Sequence, residues 1–155
     1  MSRMRSGVRL AIDWGDVRIG VAACDRDALL AYPLSTVGTG ESEIPELAAL
    51  AADHQAVEIV VGLPRSLSGG EGPAARKLRE RAALLAAATP VPVRLVDERL
   101  TTVTAAGRLR ESGKRAKQQR ESIDAAAAVV ILEEALAYER ARHEPPGELV
   151  SAGPG

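Results

Sequence analysis

The sequence predicts an α/β fold in which one central mixed five-stranded sheet, three antiparallel strands followed by parallel strands, is flanked by helices. Two observations carry this prediction. Apolar residues recur at every second position in the first part of the chain, which is the period of half-buried strands. Beyond residue 41, segments of helical periodicity alternate with short apolar runs of the kind found in central parallel strands.

The first part of the chain is predicted to form an antiparallel meander. In residues 8–13 the alternation places three aliphatic side chains on one face of a strand and Asp13 on the other. A turn at residues 14–16 leads into a second strand over residues 18–24. After a further short turn, residues 28–37 can supply the third strand.

The second part of the chain alternates helices and strands. Its predicted elements are a helix from residue 41, a strand over 57–63, a Gly/Ser-rich loop over 66–72, a helix over 73–88, a strand over 91–96, a helix over 101–111 and a helix over 122–142. Pro73 suits the first turn of its helix, and Gly113 suits a helix end. Residues 1–142 are expected to form a single domain. Residues 143–155, with three prolines and three glycines, are expected to be a disordered tail.

Length and composition fit one soluble globular domain. The chain has 155 residues, of which 46% are hydrophobic and 26% are charged. Cys24 is the only cysteine, so an internal disulfide cannot form and a reducing compartment is expected. No stretch reaches the roughly 18 apolar residues that a membrane span needs. We therefore predict a cytoplasmic protein with no membrane contact.

The charge is unevenly distributed although the net charge is only −1. Residues 101–120 contain six basic residues and one acid, a local charge of +5, which leaves −6 for the remainder of the chain. Such a basic patch can bind phosphates, and it can equally be a solvated connector. Composition alone leaves both interpretations open.

Three acids lie at positions where an ordinary globular protein would have apolar or solvent-facing residues. Asp13 lies inside a hydrophobic strand, Glu98 follows the strand over residues 91–96, and Asp124 begins the last predicted helix on its apolar face. Burying a carboxylate without a partner is costly, so this placement indicates a bound cation. We predict that the three acids converge on one centre.

Each acid considered alone also has a structural explanation. Asp13 can start a turn, and Glu98 can pair with Arg99. Ser122 can cap the last helix, with Asp124 at the positive end of the helix dipole, an effect worth about 0.3 to 1 kcal/mol. The dipole explains an acid in the first turn but not its alignment with the buried face. The joint placement therefore favours a functional role.

Carboxylate oxygens are the ligands preferred by Mg2+ and Mn2+. With a substrate phosphate as a further ligand, two such ions about 3.5 to 4 Å apart can activate a water molecule and stabilise the leaving oxygen of a phosphodiester. The sequence offers no competing chemistry: His54 and His143 are its only histidines, and it lacks zinc-ligand spacing, a Walker-type loop and a serine nucleophile elbow.

Four ordered segments of the chain resemble the YqgF family, also called RuvX, the RuvC-like Holliday junction resolvases. The segments are AIDWGDVRIGVAACD (11–25), VVGLPRSLSGGEGPAA (60–75), LVDERLTTVTA (95–105) and SIDAAAAVVIL (122–132). The resemblance covers roughly residues 8–140 and implies an RNase H-like fold and a metal-dependent nuclease. Members of the family are associated with processing the 5′ end of precursor 16S ribosomal RNA.

The resemblance also implies roles for particular residues. Asp13, Glu98 and Asp124 would be the catalytic, metal-binding acids. Arg18 and Arg99 would contact or position phosphate. The basic residues of the segment before the last helix would lie near the substrate; they are Lys114, Arg115, Lys117 and Arg120.

Two details of the expected site stay open at this point. If the strand over 91–96 lies two positions from the first strand, two spacings of about 4.8 Å separate Glu98 from Asp13, and one ion is expected without substrate. Trp14 could stack on a nucleic-acid base or simply pack against the protein.

Three further interpretations compete with a ribosomal RNA nuclease. Branched DNA is the alternative substrate, in which case a homodimer rather than a monomer is expected. A non-catalytic RNA-binding or ribosome assembly factor would keep the fold and the basic patch, but it gives no reason to keep three costly acids together. An actin-like phosphotransferase needs two lobes to enclose ATP, and 155 residues leave room for one.

Overall fold

A six-stranded mixed sheet forms the centre of the computed structural model, which describes residues 5–64, 72–97 and 116–151, with side chains from residue 125 onward in the last helix. The strands are β1 (Val8–Trp14), β2 (Arg18–Cys24), β3 (Ala31–Gly38), β4 (Ala56–Leu63), β5 (Val93–Asp97) and β6 (Glu148–Leu149). Their order across the sheet is β3-β2-β1-β4-β5-β6.

The predicted meander and parallel strands are both present. β1, β2 and β3 pair in antiparallel fashion, whereas β4 runs parallel to β1 and β5 runs parallel to β4. The carboxyl ends of β1, β4 and β5 therefore meet at one edge of the sheet, which we call the carboxyl edge. Their opposite ends form the amino edge.

Helices cover the sheet on both faces. The helices are α1 (Glu43–Asp53), α2 (Pro73–Ala88) and α3 (Ala116–Arg142). One core cluster joins alternate residues of the strands, including Leu10 and Ile12, to the buried faces of α1 and α2. A second cluster joins the other face, including Ala11 and Val60, to Ala128 and its neighbours on α3.

Two differences from the sequence prediction are larger than a shift of three residues. Residues 143–155 were predicted to be disordered, but Glu148 and Leu149 pair with β5 and add a sixth strand to the predicted five. The last helix begins at Ala116 rather than at Ser122, so Ser122 is not its cap and Asp124 is not in its first turn. The helix dipole consequently does not account for Asp124. The helix predicted over residues 101–111 lies outside the described residues.

None of the helices in the described ranges is both long and apolar enough to cross a membrane.

Candidate active site

The hairpin of β1 and β2 positions the first candidate acid. Asp13 pairs in register with Gly20, and strand alternation puts Asp13 on the same face as Ala11, under α3. The connecting turn is tight, because the backbone N–H of Gly15 donates to the carbonyl oxygen of Arg18 over 3.0 Å. A Cβ at position 15 would lie 2.5 Å from that oxygen, so only glycine fits the turn.

Arg18 lies on the same face as Asp13. It is two residues before Gly20, which makes it the diagonal cross-strand neighbour of Asp13. Diagonal neighbours have separations of about 7 to 8 Å, which a long side chain such as arginine can span. The hairpin therefore brings a cation beside the acid that the sequence singled out.

Helix α3 extends over the same end of β1. Glu139, near its carboxyl end, accepts a hydrogen bond from Arg9 at the start of β1, so the helix runs in the direction opposite to the strand. Ala11 and Ala128 belong to one core cluster. Position 124 is about 6 Å beyond Ala128 along the helix axis, and Asp13 is about 7 Å beyond Ala11 along the strand. The two acidic positions thus lie toward the same edge of the sheet.

The early start of α3 places basic residues in phase with Asp124. Lys117 lies seven residues before Asp124 and Arg120 lies four residues before it, which are spacings that share one helical face. The sequence prediction treated both residues as part of a linker. The helical backbone instead runs through these positions, which places positions 117, 120 and 124 in phase with Ala128 and Ile131.

The remaining candidates have no described position. Glu98, Arg99, Lys114 and Arg115 lie outside the described residues, so a shared ion between the three acids stays a prediction. Asp97, which precedes Glu98, pairs with Leu63 of β4, and β4 lies between β5 and β1, so two strand spacings separate β5 from β1. Among the side chains that the structure describes, no group of three or more metal-binding residues is present.

A set of charged residues at the amino edge was missed by the sequence prediction. It contains three arginines and two glutamates, and we call it the amino-edge ion network; its members are Arg5, Arg9, Glu58, Arg94 and Glu139. Arg9 and Glu58 are each only 1% exposed, and Glu139 is 5% exposed. Burial of this kind is tolerated because the charges neutralise and hydrogen-bond one another.

The contacts of the network are short and shared. Arg5 donates to Glu139 Oε1 over 2.6 Å and to Glu58 Oε1 over 3.0 Å. Arg9 donates to Glu139 Oε2 and Arg94 donates to Glu58 Oε2, both over 3.0 Å. Each glutamate therefore accepts hydrogen bonds from two arginines, and the network ties residues before β1 to β4, β5 and α3.

The environment shifts the pKa of two members of this network. Hydrogen bonding to Glu139, together with the contacts to Glu58, raises the pKa of the Arg5 guanidinium against the opposing effect of burial. Burial alone would raise the pKa of Glu139, but hydrogen bonds from Arg5 and the nearby charge of Arg9 outweigh it and leave that pKa lowered. Both groups are thereby held in their charged forms.

Cys24 is fully buried beside this network. Its sulfur accepts the backbone N–H of Arg9 over 3.3 Å. Burial raises the pKa of the Cys24 thiol, which disfavours the reactive thiolate. We assign this cysteine a packing role.

Trp14 ends β1 on the face opposite to Asp13 and is half-buried against the core under α1 and α2. Its indole N–H donates to Glu43 Oε2 over 2.8 Å. The guanidinium carbon of Arg81 lies 5.9 Å from the centre of the ring, in the range of a cation–π contact. These contacts favour the packing interpretation of Trp14 over a free stacking surface for a base.

Comparison with protein families identifies the type of site. The model of the family RuvX, described as Holliday junction resolvase, matches residues 7–138. The chain belongs to the RuvX family. A relative from Streptomyces coelicolor, named "Putative pre-16S rRNA nuclease", is 56% identical over 151 residues that cover 94% of this chain and 89% of the relative. A relative of the same name from a Nocardioides species is 52% identical, and the match covers 95% of this chain and 98% of the relative.

Solved structures support the fold of this RuvX chain. A RuvC structure from Thermus thermophilus, in complex with a Holliday junction substrate, superimposes with a TM-score of 0.57 at 17% identity. The match covers 90% of this chain and 99% of that chain. At this identity the likeness concerns the fold alone, and it confirms the predicted RNase H-like fold class. Family membership confirms the resemblance found in the sequence and indicates a nuclease that acts on nucleic acid.

Proposed function

We propose that this chain is a divalent-metal-dependent nuclease that hydrolyses phosphodiester bonds during 5′-end processing of precursor 16S ribosomal RNA in the cytoplasm. The proposal is supported by the backbone geometry, in which Asp13 and helix position 124 lie toward the same edge of the sheet. The substrate is inferred from the names of relatives that are 52% to 56% identical over most of the chain.

In this proposal Asp13, Glu98 and Asp124 hold Mg2+ or Mn2+. The donor set fits either ion, because all three ligands are carboxylates and hard cations prefer oxygen. When bound, the cation supplies activation of a water molecule and neutralisation of charge on the leaving oxygen. No histidine or cysteine of the described residues lies at the carboxyl edge; Cys24 is opposite Arg9, at the other end of β1.

The basic residues hold the substrate in this proposal. Arg18, the diagonal neighbour of Asp13, orients the phosphate at the reacting bond, and Arg99 does the same from the residue after Glu98. Lys117 and Arg120 contact phosphates further along the strand from the outer turns of α3. Lys114 and Arg115, which precede the helix, extend that basic surface. Such contacts position the substrate without reading its sequence.

The decisive test compares cleavage and binding in the wild type, Asp13→Asn and Asp124→Asn. The substrate is a structured RNA that includes the 5′ end of precursor 16S RNA, with Mg2+ or Mn2+ added. We expect cleavage by the wild type to disappear in both variants while binding persists, because amide side chains hold divalent cations poorly. Equal cleavage by the wild type and both variants would refute the role of the acids.

Branched DNA is the second candidate substrate, favoured by the description of the family. A four-way junction assayed beside the RNA distinguishes the two. Resolution of a junction requires cuts on two strands, so that outcome should coincide with a homodimer in solution, whereas RNA processing is compatible with a monomer. Measurement of the mass in solution therefore checks the same alternative independently.

A non-catalytic role in ribosome assembly is the third outcome of these experiments. It predicts salt-dependent RNA binding by the wild type with no metal-dependent cleavage of either substrate.

A further inference from the structure

The α2 side of the carboxyl edge carries a second polar site, on the face of the sheet opposite to Asp13. Trp14 and Asp13 are consecutive, so their Cα atoms are about 3.8 Å apart while their side chains point to opposite faces. A cavity of about 70 Å3 lies beside Trp14, and it is bounded by Trp14, Asp16, Pro64, Ala74, Lys77, Leu78 and Arg81. We call this cavity and its rim the Trp14 groove.

Two cations of α2 line the Trp14 groove one helical turn apart. Lys77 and Arg81 are four residues apart and therefore share a helical face. Lys77 is exposed, and Arg81 is half-buried against the indole ring. The cation–π contact favours this position of the Arg81 guanidinium, which lowers the entropy lost when its N–H groups bind an anion.

Within the described residues, neither cation of the groove has an acidic partner. Neither Lys77 nor Arg81 takes part in an ion pair in the described part of the chain, although both lie within a few residues of acids. Arg79, on the same helix but outside the groove, behaves differently and forms a two-point ion pair with Glu148. Among the described residues, the helix thus pairs its outlying arginine but not the two cations of the groove.

We propose that the Trp14 groove binds a backbone phosphate of the nucleic-acid strand whose scissile bond lies at Asp13. The proposal rests on the nuclease function proposed above and adds a substrate-binding site to it. A guanidinium and an ammonium one helical turn apart suit the oxygens of one phosphate. The strand passes from the α3 face over the carboxyl edge to the α2 face, so the bound phosphate flanks the reacting one.

The groove suits a single strand better than a duplex. Its volume of about 70 Å3 accommodates a phosphate group but not the width of a helix. A flexible single strand can bend around the edge of a sheet, whereas a stiff duplex cannot. We therefore assign the site to an unpaired stretch next to the cleavage position.

Asp16 opposes the bound phosphate. It is exposed and faces the same cavity, so its charge repels an anion there and leaves the groove with two cations against one acid. Removal of this charge in Asp16→Asn should strengthen binding of a single strand. The opposite sign of its effect from that of Lys77→Gln is a specific expectation of the proposal.

Trp14 provides the readout, because it is the only tryptophan of the chain. The Asp13→Asn protein, which should bind without cleaving, is titrated with a single-stranded RNA oligonucleotide while the Trp14 fluorescence is followed. Variants Lys77→Gln and Arg81→Gln are made in this background. Arg76→Gln is the matched control, since Arg76 is an exposed base on the same helix that does not line the groove.

We expect Lys77→Gln and Arg81→Gln each to weaken binding by about three- to tenfold and to lower the salt slope, log K against log [salt], by roughly 0.7. The fluorescence change on binding should shrink in the same variants. Arg76→Gln should bind within about twofold of its parent. When Lys77→Gln and Arg81→Gln are made in the protein that keeps Asp13, the substrate concentration for half-maximal cleavage should rise, while the maximal rate should stay within about twofold of the wild type.

The failures of this proposal and of the nuclease function are distinguishable. Cleavage that needs Asp13, combined with binding and fluorescence unchanged by Lys77→Gln and Arg81→Gln, would overturn the groove and leave the nuclease intact. Loss of binding in these variants, with no metal-dependent cleavage by the wild type, would support the groove and overturn the nuclease. Equal weakening by Arg76→Gln would reduce the effect to general charge and overturn the specific site.

Discussion

The two ends of the sheet face beneath α3 both carry charge, but they use it differently. At the amino edge, Glu58 and Glu139 are almost fully buried, and each accepts hydrogen bonds from two arginines. At the carboxyl edge, Asp13 is only half-buried, and the acidic position 124 of α3 extends toward it. The amino edge buries paired charges, whereas the carboxyl edge has a half-buried acid beside Arg18 and toward position 124 of α3.

This difference separates a structural role for charge from a catalytic one. The arginines and glutamates of the amino edge neutralise one another within the protein, since each buried carboxylate accepts hydrogen bonds from two arginines. Acids that converge repel one another, so they raise the free energy of the fold unless a cation joins them. The amino edge should therefore govern stability, and the carboxyl edge should govern activity.

The largest expected effect is on activity at the carboxyl edge. Asp13→Asn should lower the cleavage rate by roughly 10³-fold or more, because it removes a charged ligand from the reacting centre. The same change should lower the melting temperature far less than loss of Glu139 does, since Asp13 is half-buried whereas Glu139 is only 5% exposed. Parallel measurement of cleavage and of thermal unfolding checks both expectations.

Asp27→Asn is the control for this prediction, because Asp27 is an exposed acid in the turn after β2, at the amino edge. Asp27→Asn should alter neither the cleavage rate nor the melting temperature. A strongly lowered melting temperature in Asp13→Asn would contradict the comparison, as it would make Asp13 a structural residue like Glu139.

The next effect is on stability at the amino edge. Glu139→Ala leaves Arg9, which is 1% exposed, without its carboxylate, and loss of one partner of a buried ion pair costs about 3 to 5 kcal/mol. The melting temperature should fall by roughly 6 to 20 °C for a chain of this length. Glu134→Ala, an exposed site on the same helix, should change the free energy of unfolding by no more than about 0.5 kcal/mol.

Cleavage per folded molecule should survive in Glu139→Ala when it is assayed well below its melting temperature. A loss of cleavage at full folding would mean that the two edges are coupled through α3 rather than separate.

The pH dependence of stability sharpens the contrast further. The pKa of Glu139 is lowered in the folded protein, so its ionised form stabilises the fold fully above the pKa of unfolded glutamate, about 4.3. That contribution to stability is lost as the pH falls through the pKa of Glu139 in the folded protein. The difference in unfolding free energy between wild type and Glu139→Gln should be constant near neutral pH and shrink in acid. Denaturant titrations at pH 7 and at pH values below 4 test this; a difference that grows in acid would contradict the assigned shift.

Much of the fold could be predicted from local patterns. The alternation in β1 and the apolar run of β4 each report burial directly, and Pro73 marks the start of α2 in both the prediction and the structure. The start of α3 was missed because residues 116–121 lack apolar periodicity. They consist largely of lysine, glutamine, arginine and glutamate, which are strong helix formers, so propensity prevailed over pattern. The strand β6 was missed because two exposed residues show no alternation.

The two charged ends differed in how far the sequence revealed them. Asp13 was found because an acid interrupts an apolar strand, a signal that is local. Arg9 lies on the same strand face, and Glu139 lies on the buried stripe of α3, but their pairing joins residues 130 positions apart. Until the packing of α3 on β1 is known, each looks like an ordinary surface charge. The arrangement that makes them structural is a property of the tertiary fold.

The smallest expected effect concerns an ion pair outside both edges. Arg79 and Glu148 form two hydrogen bonds of 2.7 and 3.1 Å. These lengths lie within the range of the hydrogen bonds in the amino-edge ion network. The side chains of Arg79 and Glu148, however, are 32% and 57% exposed, so water screens the charges and solvates either partner when the other is removed.

Glu148→Ala should therefore lower the free energy of unfolding by only about 0.2 to 1 kcal/mol, and added salt should reduce that difference. The pair joins α2 to β6, so the effect should appear as earlier local opening of residues 148–149 in hydrogen exchange rather than as global unfolding. If Glu148→Ala matched Glu139→Ala in its cost, exposure would not be what separates weak from strong ion pairs in this protein. Bond length at an ion pair would then matter more than burial, and the assignment of the amino edge as the stabilising end would lose its physical basis.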